Sequence, residues 1–275
     1  MPGSSAAHSR QTAKQMEKLW KLAPFLSVAA LLLFWEFGIG LIGVPDYIMP
    51  RPSTFLATLA HNWALPEAQG SDTLDLAGHT WATINIIVIG FFAGVIIAIP
   101  TGLAIGLVPE LERSLYYLIV ILNTMPKVAL APLLTVWAGQ GALPNIILVA
   151  IASFIPVLVD AIAGFKYIDP RVTYLAKSAG ASFFQMFIFI RLPSALPHLV
   201  SGLRTSLLIS IVTAIVIEYV SATQGLGYAA MRGVLNDDIS LVFAVITIGT
   251  AIGFAATIIM DVVERLLLPW KQARK

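Results

Sequence analysis

The 275-residue chain contains no cysteine, which excludes disulfides, thiol nucleophiles and thiolate metal sites. Charge is scarce: 12% of residues are Asp, Glu, Lys or Arg, against roughly 25% in ordinary soluble domains. The four histidines, His8, His61, His79 and His198, make no metal-ligand pair at helical spacing. No G-x4-G-K-[ST] phosphate loop occurs, so the chain carries no ATP cradle of that kind. The net charge of +2 is too small to imply nucleic acid, and no internal repeat or low-complexity run is visible.

What is present is apolar: 58% of residues are hydrophobic and the mean hydropathy is +0.85. A hydrocarbon core about 30 Å thick is crossed by a helix of about 20 apolar residues. Six stretches qualify, at 23–44, 81–108, 115–138, 144–165, 198–223 and 239–268. The prediction is an all-α integral membrane protein with six transmembrane helices. The first stretch reads as a span rather than a cleaved leader, because its apolar run is long and no small-x-small site follows it.

The basic residues orient these spans. Thirteen Lys and Arg fall before the first span, in alternate loops and after the last span, while the opposite loops hold only Arg51 and Arg232. Cytoplasmic loops carry the excess of Lys and Arg. Both termini and the 166–197 loop are therefore expected in the cytoplasm. The expected organisation is a cytoplasmic tail at 1–22, a first span and extracytoplasmic connector at 23–80, a core at 81–270 and a tail at 271–275. Pro52-Ser53 starts a candidate amphipathic helix to Trp63, and Trp63 and Trp81 suit an interfacial belt.

Residues 169–193, DPRVTYLAKSAGASFFQMFIFIRLP, form a polar island between apolar runs. Asp169-Pro170 is a helix start, and Val172, Leu175, Ala176 and Ala179 mark one apolar face. Gly180 suits a helix end. Ser182 and Gln185 read as a capping box opening a second short helix, with Leu192-Pro193 expected to end it. Small residues such as Ala176 and Gly180 admit a close neighbour, and Phe183 and Phe184 offer anchors. The plain alternative is a helix pair that merely packs at the membrane surface.

Ala176-x3-Gly180-x9-Ile190-x-Leu192-Pro193 resembles the EAA loop of permease subunits of bacterial binding-protein-dependent ABC importers. Where that family has Glu-Ala-Ala, this chain has Tyr174, Leu175 and Ala176, of which only the last matches. Pro126-Lys127 through Pro132, Trp137-Ala-Gly139-Gln-Gly141, Gly202-Leu-Arg204, Glu218, Gly225-Leu-Gly227 and Trp270 are similar, in order, to the nitrate/sulfonate/taurine-type permeases. Gly90-Phe91 also fits, with Ile86 where an Arg is frequent.

The resemblance implies a type I importer permease fold with a cytoplasmic coupling helix. It also implies a non-catalytic chain in the bacterial inner membrane. Its partners would be a second permease chain in a homodimer, two ATPase subunits that carry ATP and magnesium, an extracytoplasmic binding protein, and membrane lipid. The ATPase-coupling residues would be Tyr174, Leu175, Ala176, Lys177, Gly180, Ala181, Ser182, Phe183 and Phe184. No cofactor is expected in this chain.

Candidate translocation-pathway residues are the polar ones that hydrocarbon would penalise. Asn123 and Lys127 flank Pro126, which breaks the helix ladder. A cation there suits a small anion, with nitrate, bicarbonate, a sulfonate or a carboxylate as candidates. The alternative is that Lys127 snorkels or pairs with Glu218. Ser206, Ser210 and Thr213 share one helix face, with interhelical packing as the alternative. Glu218, near the outer end, is a candidate for the outer gate or a binding-protein contact. Asp160 reads as structural, and Glu36 has no partner legible in the sequence. A stand-alone secondary transporter is the competing class, disfavoured by the missing repeat. An intramembrane enzyme lacks the residues for its chemistry.

Overall fold

A computed structural model describes residues 23, 26–64, 74–221 and 223–272; the expected tail at 1–22 and residues 273–275 lie outside them. The elements are α1 (Leu26–Ile42), α2 (Pro52–Ala64), α3 (Leu76–Leu107), α4 (Pro109–Thr124), a 3-10 turn (Lys127–Leu130), α5 (Ala131–Ala138) and α6 (Ala142–Lys166). They continue with α7 (Pro170–Ser178), α8 (Phe183–Met186), a π-helical stretch (Phe187–Arg191), α9 (Leu192–Ser221), α10 (Leu226–Leu235), α11 (Ile239–Leu267) and α12 (Pro269–Gln272). Among the described residues there is no strand.

Among the described residues, four helices are long and apolar enough to cross a membrane: α3, α6, the unbroken run Phe183–Ser221 and α11. The predicted third span, 115–138, differs from expectation. Residues 109–138 do not form one straight helix but a pair bent by 79°. Pro126 disfavours helical backbone in the residue before it, and Met125 is accordingly extended at φ −61°, ψ 129°. The first predicted span appears as the shorter apolar helix α1.

The core is a sandwich of α3, α6 and α9. Gly90, Gly94, Gly102 and Gly106 form two G-x3-G steps on α3, where backbones can approach closely. A Cβ on Gly90 would lie 2.7 Å from Val149, and one on Gly102 would lie 3.2 Å from the Leu158 carbonyl. The register advances in the same sense on both helices, so α3 and α6 run parallel. Helix α9 runs antiparallel to α6: Gly164 meets Ala195, Gly202 meets Asp160, and Ser206 Oγ donates to the Ser153 carbonyl at 2.8 Å.

Glu36 gains a role. Its carboxylate accepts from Ser53 N at 3.0 Å and Ser53 Oγ at 2.7 Å, so α1 caps the free N–H end of α2. Trp35, Phe55 and Phe243 then stack α1, α2 and α11 together, with centroids 5.5–5.8 Å apart.

At the other end of the molecule, Arg204 Nη2 holds Asp261 Oδ1 at 2.6 Å and Glu264 Oε2 at 2.9 Å, joining α9 to the last turns of α11. Lys166 at the end of α6 holds Glu112 of α4 at 2.8 Å.

Candidate functional site

The segment between α6 and α9 is built from its caps upward. Asp169 Oδ1 accepts from Arg171 N at 2.9 Å and starts α7. Gly180, at φ +77°, turns the chain back, and Ala181 N reaches the Ala176 carbonyl at 3.0 Å. That positive φ explains why glycine stands there. Ser182 and Gln185 make both bonds of the capping box, at 2.8 and 3.3 Å.

The second helix does not end at Leu192-Pro193, contrary to the sequence expectation. It runs on into α9 through a π stretch, where Leu192 N bonds the Phe187 carbonyl five residues back. The wider turn falls just ahead of Pro193, which has no N–H to continue the α ladder. The second short helix and the α9 span are thus one rod of 39 residues.

This segment leaves large apolar groups uncovered. Tyr174 and Phe184 are each 74% exposed, and Leu175 and Phe183 are 68% and 64% exposed. Lys177, Gly180 and Ser182 are exposed beside them, while Ala176 and Ala181 are half-buried at the turn. Underneath, Met186 is buried and Phe187 stacks on Phe165 of α6 at 6.3 Å. The two helices therefore present an apolar outer face, with the α8 side anchored on α6.

At the bend in residues 109–138, Asn123 is exposed and Lys127 is half-buried. The Lys127 ammonium donates to the Asn123 carbonyl at 3.2 Å, one of the carbonyls freed by the break. The suggested Lys127–Glu218 pair does not form. Beside the bend, a cavity of about 570 Å3 is lined by Gly94, Leu122, Met125, Leu130, Ile151 and Phe154.

The hydroxyl face of α9 packs against α6. Ser206 and Ser210 are fully buried, with Ser206 bonded to α6 and Ser210 Oγ donating to the Ser206 carbonyl at 2.8 Å. They pack helices in this conformation; Thr213 is half-buried.

Glu218, near the C-terminal end of α9, is fully buried. Its Oε2 accepts from Thr83 Oγ1 at 2.8 Å and from Gly227 N at 3.0 Å, while Oε1 has no partner among the described residues. Thr83 Oγ1 in turn accepts from Leu226 N at 2.8 Å, and His79 Nδ1 accepts from Gly225 N at 2.9 Å. Gly225 has φ +114°, and a Cβ there would strike the Glu218 carboxyl. The Gly225-Leu-Gly227 turn is thereby a lid closed over the carboxyl. The order Glu218…Gly225…Gly227 is legible in sequence, but no local signal points to His79 and Thr83.

A parallel-packed glycine helix, a span broken at proline, an exposed apolar helix pair and a polar knot at the opposite end define a multi-pass helical membrane protein. The chain belongs to the family described as binding-protein-dependent transport system inner membrane component, whose model matches residues 90–270. It is an ABC transporter permease of the inner membrane, a non-enzymatic subunit by family.

It is 31% identical over 244 residues to the taurine transport system permease protein TauC of Escherichia coli, covering 89% of this chain and 88% of that protein. It is 29% identical over 256 residues to the formylaminopyrimidine transport permease protein ThiX of Halalkalibacterium halodurans, covering 91% and 96%. The inward-facing MetNI methionine ABC transporter has the same fold, with a TM-score of 0.62 at 17% identity over 70% of this chain and 95% of that one.

Proposed function

We propose that the chain is the membrane subunit of an ATP-driven importer of a small sulfonate-like anion, switching between outward and inward access. The observation that carries this reading is the α7–α8 helix pair, capped at both starts and apolar on its uncovered face. Such a surface suits insertion into a cleft of an ATPase subunit, with Tyr174, Leu175, Phe183 and Phe184 as anchors. Because α8 continues into α9, movement of the docked pair is transmitted directly to a span. ATP and magnesium belong to the two ATPase partners, and an extracytoplasmic binding protein delivers the substrate.

The chain has six spans in this reading, counting α1 and the bent pair once each. Both termini and α7–α8 face the cytoplasm, in line with the thirteen-to-two bias of Lys and Arg. A second copy covers the break at Met125-Pro126, because irregular backbone at membrane depth needs protein or a water-filled cavity beside it. Asn123 and Lys127 then border the pathway, and Lys127 supplies the cation for an anionic group. Similarity to taurine and aliphatic sulfonates permeases supports that substrate class.

The test is uptake by proteoliposomes containing the chain alone, or with its ATPase and binding protein. ATP-dependent taurine or alkanesulfonate uptake only in the full assembly is the expected result. Gradient-driven uptake by the chain alone would make it a secondary transporter.

A further inference from the structure

A cleft of about 270 Å3 lies where α3 turns into α4, lined by Pro109, Glu112, Arg113, Tyr116 and Lys166. We propose that it binds the phosphate headgroup of an anionic phospholipid. The proposal goes beyond the transport reading and requires only that these helices cross a membrane.

Depth is the first argument. The apolar runs of α3 and α6 end at Leu107 and Lys166, with Val108 alone between α3 and α4. The cleft therefore sits where hydrocarbon gives way to headgroups.

Charge is the second. Two cations from separate helices border one small cleft. Lys166 has one partner, Glu112, at 2.8 Å, and lies over the Tyr167 ring at 5.5 Å, which leaves ammonium donors for another oxygen. Arg113 is exposed and makes no ion pair or hydrogen bond among the described residues. A guanidinium fork suits a phosphate, and basic pockets between membrane helices attract anionic headgroups.

Shape is the third. Tyr116 lines the cleft and Tyr167 lies beside Lys166, both exposed as interfacial aromatics are. From Arg113 along α4, the exposed residues at helical spacing are Tyr117, Val120 and Ile121, a track for an acyl chain. The cleft thus offers a polar site and an apolar lane in the order a phospholipid presents them.

The test is native mass spectrometry of the full-length chain in detergent micelles with equal phosphatidylglycerol and phosphatidylcholine. The wild type should retain phosphatidylglycerol preferentially. Arg113→Gln should lower that preference about fivefold, the weight of one interfacial cation. Glu112→Gln should raise it by freeing Lys166. Arg171→Gln, which makes the same charge change on the exposed loop, should leave it unaltered. Circular dichroism verifies folding, and Lys166→Gln serves if Arg113→Gln fails to fold. Equal losses in Arg113→Gln and Arg171→Gln, or none in either, would overturn the proposal. Retention of glycerol 3-phosphate in lipid-free micelles would assign the cleft to a soluble anion and overturn it equally.

Discussion

Thr83 donates its hydroxyl to Glu218 Oε2 at 2.8 Å across 135 residues of sequence. The contact joins the first turns of α3 to the last turns of α9, and Gly227 N adds the start of α10 to the same oxygen. A carboxyl with no exposure is costly to bury unless hydrogen-bonded. Its presence makes this knot a fixed point at one end of the bundle, opposite the α7–α8 segment.

Glu218→Ala should therefore destabilise the chain by about 2–4 kcal/mol, because it leaves a void and unpaired donors at Thr83 and Gly227. Glu218→Gln keeps the volume and should cost less. Thermal unfolding in detergent reads the difference; equal effects of the two substitutions would mean that the carboxyl's shape is irrelevant.

Gly94→Ala should cost about 1–3 kcal/mol, since overpacking a tight contact forces backbone apart. Its Cβ would fall 2.6 Å from the Ala150 carbonyl of α6. Gly253→Ala in α11 meets nothing within 4 Å and should be neutral or slightly stabilising through helix propensity. The pair of melting curves separates packing from propensity.

Arg204→Ala should lower stability by about 1–3 kcal/mol by leaving Asp261 and Glu264 facing each other. Arg204→Lys keeps the charge without the fork and should fall between wild type and Ala. The ordering of the unfolding midpoints tests this.

Lys127→Gln should raise the transport KM for a sulfonate about tenfold or more, the loss of one charge-assisted contact. Substrate-independent ATP hydrolysis by the assembly should persist. An unchanged KM would remove Lys127 from the pathway.

The membrane class and most helix positions were legible because apolar runs are long and their ends carry caps: Asp169, Ser182 with Gln185, and Gly180 all read correctly as local signals. The breaks were harder. Pro126 bends its span because Met125 cannot stay helical, whereas Pro193, equally visible, is absorbed by a π turn. Proline identity alone does not separate these outcomes; the ladder around it does. Glu36 and Arg204 had no legible partners, since Ser53, Asp261 and Glu264 lie on other helices and meet them only through tertiary packing. Polarity at Ser206, Ser210 and Glu218 signals either function or helix packing, and the partners on other helices, Ser153 and Thr83, lie far away in sequence.

Docking of the ATPase on the α7–α8 pair is tested most directly by Gly180→Trp. Gly180 is exposed with φ +77° and nothing within 4 Å of a Cβ, so a large side chain perturbs the turn without striking the bundle. Co-purification of the ATPase with membrane-inserted chain is the measurement, with Leu175→Asp as a second variant on the exposed face. Both variants should remain inserted and lose the ATPase; normal ATPase recovery with both would contradict the account.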